Sequence, residues 1–170
     1  SHTSLPIIKA SKKHLLINEL KPFQAAIDSG VRMIMAGHLV VPSIDSTGLP
    51  ATHSNSIITK LLKTEMGFDG VVITDAMEMG ALNSTISNDE SVLRAIESGT
   101  DIILLPIDEV SSIRAIKESI QNGRISESRI DSSVVRILRL KQDAGLFTGK
   151  GMPSLNDIRS IIGSNENIAI

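Results

Sequence analysis

Two stretches of this chain repeat one another at long range. "AAIDSGVRMIMAG" (25–37) aligns with "RAIESGTDIILLP" (94–106), so that Ala26, Ile27, Ser29, Gly30 and Ile34 recur as Ala95, Ile96, Ser98, Gly99 and Ile103. Between them "LKTEMGFDGVVITD" (62–75) has the same layout, with Gly67 in the place of Gly30 and Gly99. The three glycines stand 37 and 32 residues apart, about the length of one strand–helix unit. Each copy reads as a helix end, a glycine that tolerates left-handed geometry, a short turn and an apolar strand. The predicted strands are Met33–Met35, Val71–Ile73 and Ile102–Leu105. Aliphatic runs without alternation are expected to be covered on both faces, as in a parallel sheet.

The segments between them have helical spacing. Ser87 and Glu90 stand at capping-box distance before Val92, Ala95 and Ile96. Ser54 is placed to cap a helix carrying Ile57, Ile58, Leu61 and Leu62, and Pro22 is tolerable in the first turn of a helix with the stripe Leu20, Phe23 and Ile27. A further helix carries Ile113, Ile116 and Ile120 and stops near Gly123. The longest follows Ser126, with Ile130, Val134, Ile137 and Leu138 on one side and Gly145 after it. Strands returned by helices make an α/β fold, and either a parallel barrel or an open doubly wound sheet satisfies the pattern. Beyond "GLFTGKG" the pattern lapses, so residues 148–170 read as a linker toward a possible further domain.

Composition narrows the function classes. Aromatics make up 2% of the 170 residues, with no Trp or Tyr, and the formal charge is −2. Stacking platforms and basic stripes for nucleic acid are therefore not expected. No apolar run approaches the ~20 residues of a membrane helix. The absence of cysteine excludes disulfides and thiolate metal sites without fixing a compartment. There is no GxGxxG or P-loop, and no His, Asp and Glu cluster with metal-ligand spacing, so no cofactor is expected.

The residue that stands out is Asp75, the first charge after Val71, Val72 and Ile73. In barrels and open parallel sheets alike, ligands bind at the carboxyl ends of strands. At such a position an aspartate is either a reacting group or the cap of the turn that follows.

The stretch "GFDGVVITDAMEMGAL" (67–82) resembles the nucleophile segment of family 3 glycoside hydrolases. "ELKPFQAAIDSG" (19–30), "HLVVP" (38–42), "LPATHSNSIITKLLKTEMGF" (49–68), "GTDIILLP" (99–106) and "NGRISESRIDSSVVRILRLKQDAGLF" (122–147) are similar to the same family in the same order. The resemblance implies a TIM-type (β/α)8 barrel of which residues 1–147 are the C-terminal portion, the first strands and the groups that hold the sugar lying upstream. It implies that Asp75 is the nucleophile. The opening "SHTSLP" resembles the mobile loop of the β-N-acetylglucosaminidase branch, whose Asp-Ser-His motif supplies a histidine acid/base. His2 would be that histidine, and its aspartate partner would precede Ser1. His38, after the first predicted strand, reads first as a core histidine bonded to a backbone carbonyl, and second as a candidate to contact the sugar or to support Asp75.

The resemblance thus implies a retaining exo-β-N-acetylglucosaminidase acting on small sugars or muropeptides derived from cell wall, with this portion inactive unless joined by the rest of its barrel. A family 3 β-glucosidase, an N-acetylglucosaminide phosphorylase and a noncatalytic carbohydrate-binding barrel are the alternatives. A neutral imidazole does not repel phosphate as a carboxylate would, which keeps the phosphorylase open. His53 stands where the family usually has leucine in "PATLS" and receives no role. Met77 and Met79 read as packing beneath the turn, Glu78 as a solvated or capping group, and His14 as surface. The segment after residue 147 resembles the longer two-domain members, which leans the compartment toward the cell envelope or the outside, with the cytoplasm still open.

Overall fold

The computed structural model describes residues 5–79, 82, 86–148 and 154–161. The chain divides into two compact units, Ser1–Leu140 and Lys141–Ile170. In the first unit, α1 (Lys12–Ile17) and α2 (Lys21–Asp28) precede β1 (Met33–Ala36). A 3-10 turn (Ala51–His53) and a π-wound helix (Ser56–Glu65) lead to β2 (Val71–Thr74). Then come α3 (Asn88–Ser98), α4 (Glu109–Gln121) and α5 (Glu127–Asp143), which crosses the division. The second unit carries α6 (Leu155–Ile161).

The repeat is realised as strand and turn geometry. β1 and β2 pair in parallel, Met33 with Val71, Ile34 with Val72, Met35 with Ile73 and Ala36 with Thr74. Gly30, Gly67 and Gly99 all take positive φ, +84°, +73° and +115°. At Gly99 there is a second constraint, because a Cβ would run into the Thr59 hydroxyl, which donates to the Ser98 carbonyl at 2.6 Å. Only glycine satisfies both demands.

The capping predictions hold locally. Ser87 accepts from the Glu90 N–H at 3.2 Å, Ser54 from the Ile57 N–H at 3.2 Å, and Pro22 lies in the first turn of α2. The reciprocal arm of the capping box is not made. Glu90 turns instead to Arg94 and Arg124, each at 2.7 Å, and hydrogen bonds from Arg124 and Arg94 bring its carboxyl down to about 2.

Two expectations are corrected. The third predicted strand contributes a single parallel bridge, Ile73 to Ile102. The Asp101 carboxylate takes the Val72 N–H at 3.0 Å, and the Thr74 hydroxyl takes the Leu104 N–H at 3.0 Å, so side chains occupy ladder positions that main-chain groups would fill. Leu105 then turns to φ +46° and ends the run. Coverage on both faces is also incomplete. On the helix side, Ala36 and Val72 pack with Ile58 and Phe68. On the other side of β1, Met33 and Met35 are exposed. A second apolar cluster joins Met77 and Leu82 to Val92, Ala95 and Ile96 of α3 and to Ile125.

Asp101 ties these parts together. Its side chain is fully buried and meets Lys63 at 2.9 Å, Arg136 at 3.3 Å and Arg129 at 3.7 Å, with the Ser133 hydroxyl donating at 2.6 Å. Burial alone would push this carboxyl up, but the bonds from Ser133, Lys63 and the Val72 N–H hold it below its ordinary value. Removing one partner from a buried ion pair costs on the order of 3–5 kcal/mol, because the remaining charges are left uncompensated. In Asp101→Asn the cations are partly exposed, so the expected loss lies near the lower end, about 3 kcal/mol. Urea unfolding of the full-length protein should show it as a lower midpoint at unchanged slope.

Candidate active site

Asp75 follows the last residue of β2, at the carboxyl end of the parallel pair. Its N–H continues the ladder to the Ala36 carbonyl at 2.8 Å, and the Met77 N–H donates to the Leu104 carbonyl at 2.9 Å. Between these anchors, the Ala76 N–H donates to Asp75 Oδ1 at 2.8 Å, which fixes the direction of the carboxylate. The side chain is half-buried, so it is held by the fold and still open on one side. Met77 is 1% exposed and belongs to the apolar cluster beneath this turn, as expected of packing. Glu78 is exposed.

His38 lies directly behind the turn. It is 2% exposed, with Nδ1 at 2.9 Å from the Thr52 hydroxyl and Nε2 at 3.1 Å from the Ala76 carbonyl. A carbonyl only accepts, so Nε2 carries the proton and Nδ1 accepts from Thr52. Burial pushes this imidazole below its ordinary value, against the opposing pull of the Ala76 carbonyl and the Asp75 charge. Both ring nitrogens are engaged by protein, as expected of a core histidine bonded to a backbone carbonyl, and the carbonyl concerned belongs to the turn that carries Asp75.

The shell continues through the 3-10 turn. The Thr52 carbonyl accepts from the Ser98 hydroxyl at 2.8 Å, and His53 Nε2 lies 3.1 Å from the Ser91 hydroxyl. His53 received no role from the sequence, yet it is 6% exposed and in the same shell. The signal was its departure from the family's leucine; its partner on α3, 38 residues away, is not readable from spacing. His2 lies outside the described residues. His14 is on the surface, 3.1 Å from Glu19. Among the described residues no group of three or more His, Cys, Asp or Glu is placed to hold a metal ion. No helix among them is long and apolar enough to cross a membrane.

An α/β chain with parallel strands and an oriented carboxylate at a strand's carboxyl end has the arrangement with which barrels and open parallel sheets build their sites. Residues 1–140 match the profile described as the glycosyl hydrolase family 3 N-terminal domain. The chain belongs to glycoside hydrolase family 3, and its α/β fold is of the TIM-barrel type of that domain. It is 30% identical over 141 residues to a β-N-acetylglucosaminidase/β-glucosidase of Cellulomonas fimi, covering 78% of this chain and 25% of that protein. It is 28% identical over 162 residues to β-hexosaminidase A of Pseudoalteromonas piscicida, covering 83% and 27%. The solved family 3 β-N-acetylglucosaminidase from Paenibacillus sp. str. FPU-7 superposes with a TM-score of 0.85 at 38% identity, over 92% of this chain and 31% of that one. The chain thus spans about a quarter of the length of the two curated relatives.

The His53 placement has a measurable consequence. Burial, with His38 and Arg94 adding to it, brings the His53 imidazole from 6.5 down to about 4. Between those values the unfolded chain takes up a proton that the folded chain refuses, so stability rises with pH across the window and falls as pH drops toward 4. The full effect is on the order of 3 kcal/mol. In His53→Leu, unfolding free energy measured between pH 7 and pH 4 should lose this share of its slope, leaving what His38 contributes and, toward pH 4, what the lowered carboxyls of Glu90, Asp101 and Asp45 contribute.

Proposed function

We propose that these residues form the C-terminal part of the barrel of a retaining, exo-acting β-N-acetylglucosaminidase. Residues up to 147 belong to the barrel, and 148–170 lead toward a further domain. The observation that carries this reading is the placement of Asp75: a carboxylate at the end of β2, oriented through Oδ1 by the Ala76 N–H and open on one side. In retaining glycosidases such a carboxylate attacks the anomeric carbon and forms a glycosyl-enzyme, which water then hydrolyses. We assign the attack to Oδ2, since Oδ1 is committed to the main chain.

His2 is the proposed acid/base. Protonated, it delivers a proton to the leaving oxygen; neutral, it activates water for the second displacement. An imidazole titrates close enough to neutrality to serve both steps. Support for an N-acetylglucosamine-containing substrate, a small sugar or muropeptide, comes from the "SHTSLP" opening and from the names of the relatives. The Cellulomonas fimi protein is named for both N-acetylglucosaminidase and glucosidase activity, which supports a β-glucoside as the second substrate.

In the full-length protein, Asp75→Ala should lower turnover of an aryl β-N-acetylglucosaminide by ~10⁴-fold or more, the scale on which loss of a covalent nucleophile is felt, at unchanged thermal midpoint. A 2-fluoro sugar with an activated leaving group should label a peptide containing Asp75, read by mass spectrometry. Retained turnover in the variant would rule the assignment out.

The acceptor is tested separately. With wild-type protein and phosphate present, free N-acetylglucosamine is the expected product. Accumulation of the sugar 1-phosphate would reassign the protein as a phosphorylase with the same nucleophile.

A further inference from the structure

The main chain around Asp75 is held one peptide unit at a time. The Ser98 hydroxyl holds the Thr52 carbonyl at 2.8 Å, and the Thr52 hydroxyl holds His38 Nδ1 at 2.9 Å. His38 Nε2 then reaches the Ala76 carbonyl at 3.1 Å. That carbonyl and the Met77 N–H belong to one planar peptide, and the N–H is bonded to Leu104 at 2.9 Å. The plane is therefore fixed at both ends. The peptide before it carries the Ala76 N–H that grips Asp75 Oδ1 at 2.8 Å. The direction of the carboxylate thus depends on the plane His38 holds.

We propose that His38 is a positioning residue for Asp75, acting through the Ala76 carbonyl as an Nε2–H tautomer locked by the Thr52 hydroxyl. The proposal rests on the reading of Asp75 as the nucleophile. Without the imidazole donor, the Ala76 carbonyl loses its partner at that end and the plane tilts on the single anchor at Met77. The carboxylate moves with it. Displacement of a reacting atom by about 1 Å can cost ~10²-fold in rate, so the loss appears in bond making more than in sugar binding. A glutamine places an amide N–H near the position of Nε2 and a carbonyl toward Thr52, so it replaces both bonds.

The test compares His38→Ala, His38→Gln and Asp75→Ala in the full-length protein, with active sites counted by covalent labelling. The expected result for His38→Ala is a ~10–100-fold slower formation of the glycosyl-enzyme per labelled site, a KM within ~3-fold of wild type, and recovery of most of the rate in His38→Gln. A purely structural role would instead lower the number of sites and the thermal midpoint while leaving the rate per site alone. Wild-type rate per site in folded His38→Ala, or no recovery in His38→Gln, overturns the proposal. Should His38→Ala fail to fold, His38→Gln and the tautomer decide. Nitrogen NMR of histidine-labelled wild-type protein at neutral pH should show His38 with its proton on Nε2, and a proton on Nδ1 overturns the proposal. Full activity in Asp75→Ala would overturn the nucleophile reading itself, an outcome distinct from all of these.

Discussion

The buried carboxylate of Asp101 is the constraint around which the first unit is assembled. It stands in for a strand carbonyl by accepting from the Val72 N–H. In the same stroke it draws Lys63 from the π-wound helix and Arg129, Arg136 and Ser133 from α5. Lys63 also donates to the Gly99 carbonyl at 2.6 Å. Arg129 donates to the carbonyls of Ile96 at 3.1 Å and Thr100 at 2.6 Å. The end of α3, where helix carbonyls lack partners and the dipole favours cations, is closed by the same groups that neutralise Asp101. A buried charge repays its desolvation only when its lone pairs are all well used, and here they are spread over sheet and helices.

Asp101 and Asp75 lie at opposite ends of the same strand neighbourhood and are treated in opposite ways. Asp101 is fully buried and surrounded by cations, which removes it from chemistry. Asp75 is half-buried and oriented by a main-chain N–H. A carboxylate gripped by several cations is a poor nucleophile because its electron density is already committed; one oriented by a peptide dipole keeps a lone pair available. The polarity follows from the parallel ladder, which brings the strand ends together on one side.

How much of this was legible follows from how local each cause is. The glycines at 30, 67 and 99, the caps at Ser54 and Ser87, and the first two strands are set by neighbours in sequence, and they read correctly. Asp75 stood out in the sequence because it is the first charge after the apolar run Val71–Ile73, and the structure places it just past the end of β2. The third strand was misread since period and composition cannot show that Asp101 and Thr74 would occupy ladder positions with side chains. The coverage of β1 was misread for a different reason: whether Met33 and Met35 are buried depends on what lies opposite, and the aliphatic pattern is the same in either case. The contacts of His38 with Thr52 and of Thr52 with Ser98 span 14 and 46 residues. No spacing rule reaches them.

The distribution of polar and apolar contacts beneath Asp75 has its own logic. Apolar clusters hold the helices against the strands, and such contacts are non-directional, so they tolerate small shifts. A group that must meet a substrate atom within a fraction of an ångström needs directional restraint, which hydrogen bonds supply. The 3-10 turn Ala51–His53 delivers it twice: Thr52 reaches His38, and the adjacent His53 reaches Ser91 of α3. A three-residue turn has little freedom to move one of these side chains without the other. The histidine at 53, in place of the family's leucine, therefore adds a second directional tie between this turn and α3. The cost is a ring that must stay unprotonated, and burial, by lowering its basicity, is what keeps it so.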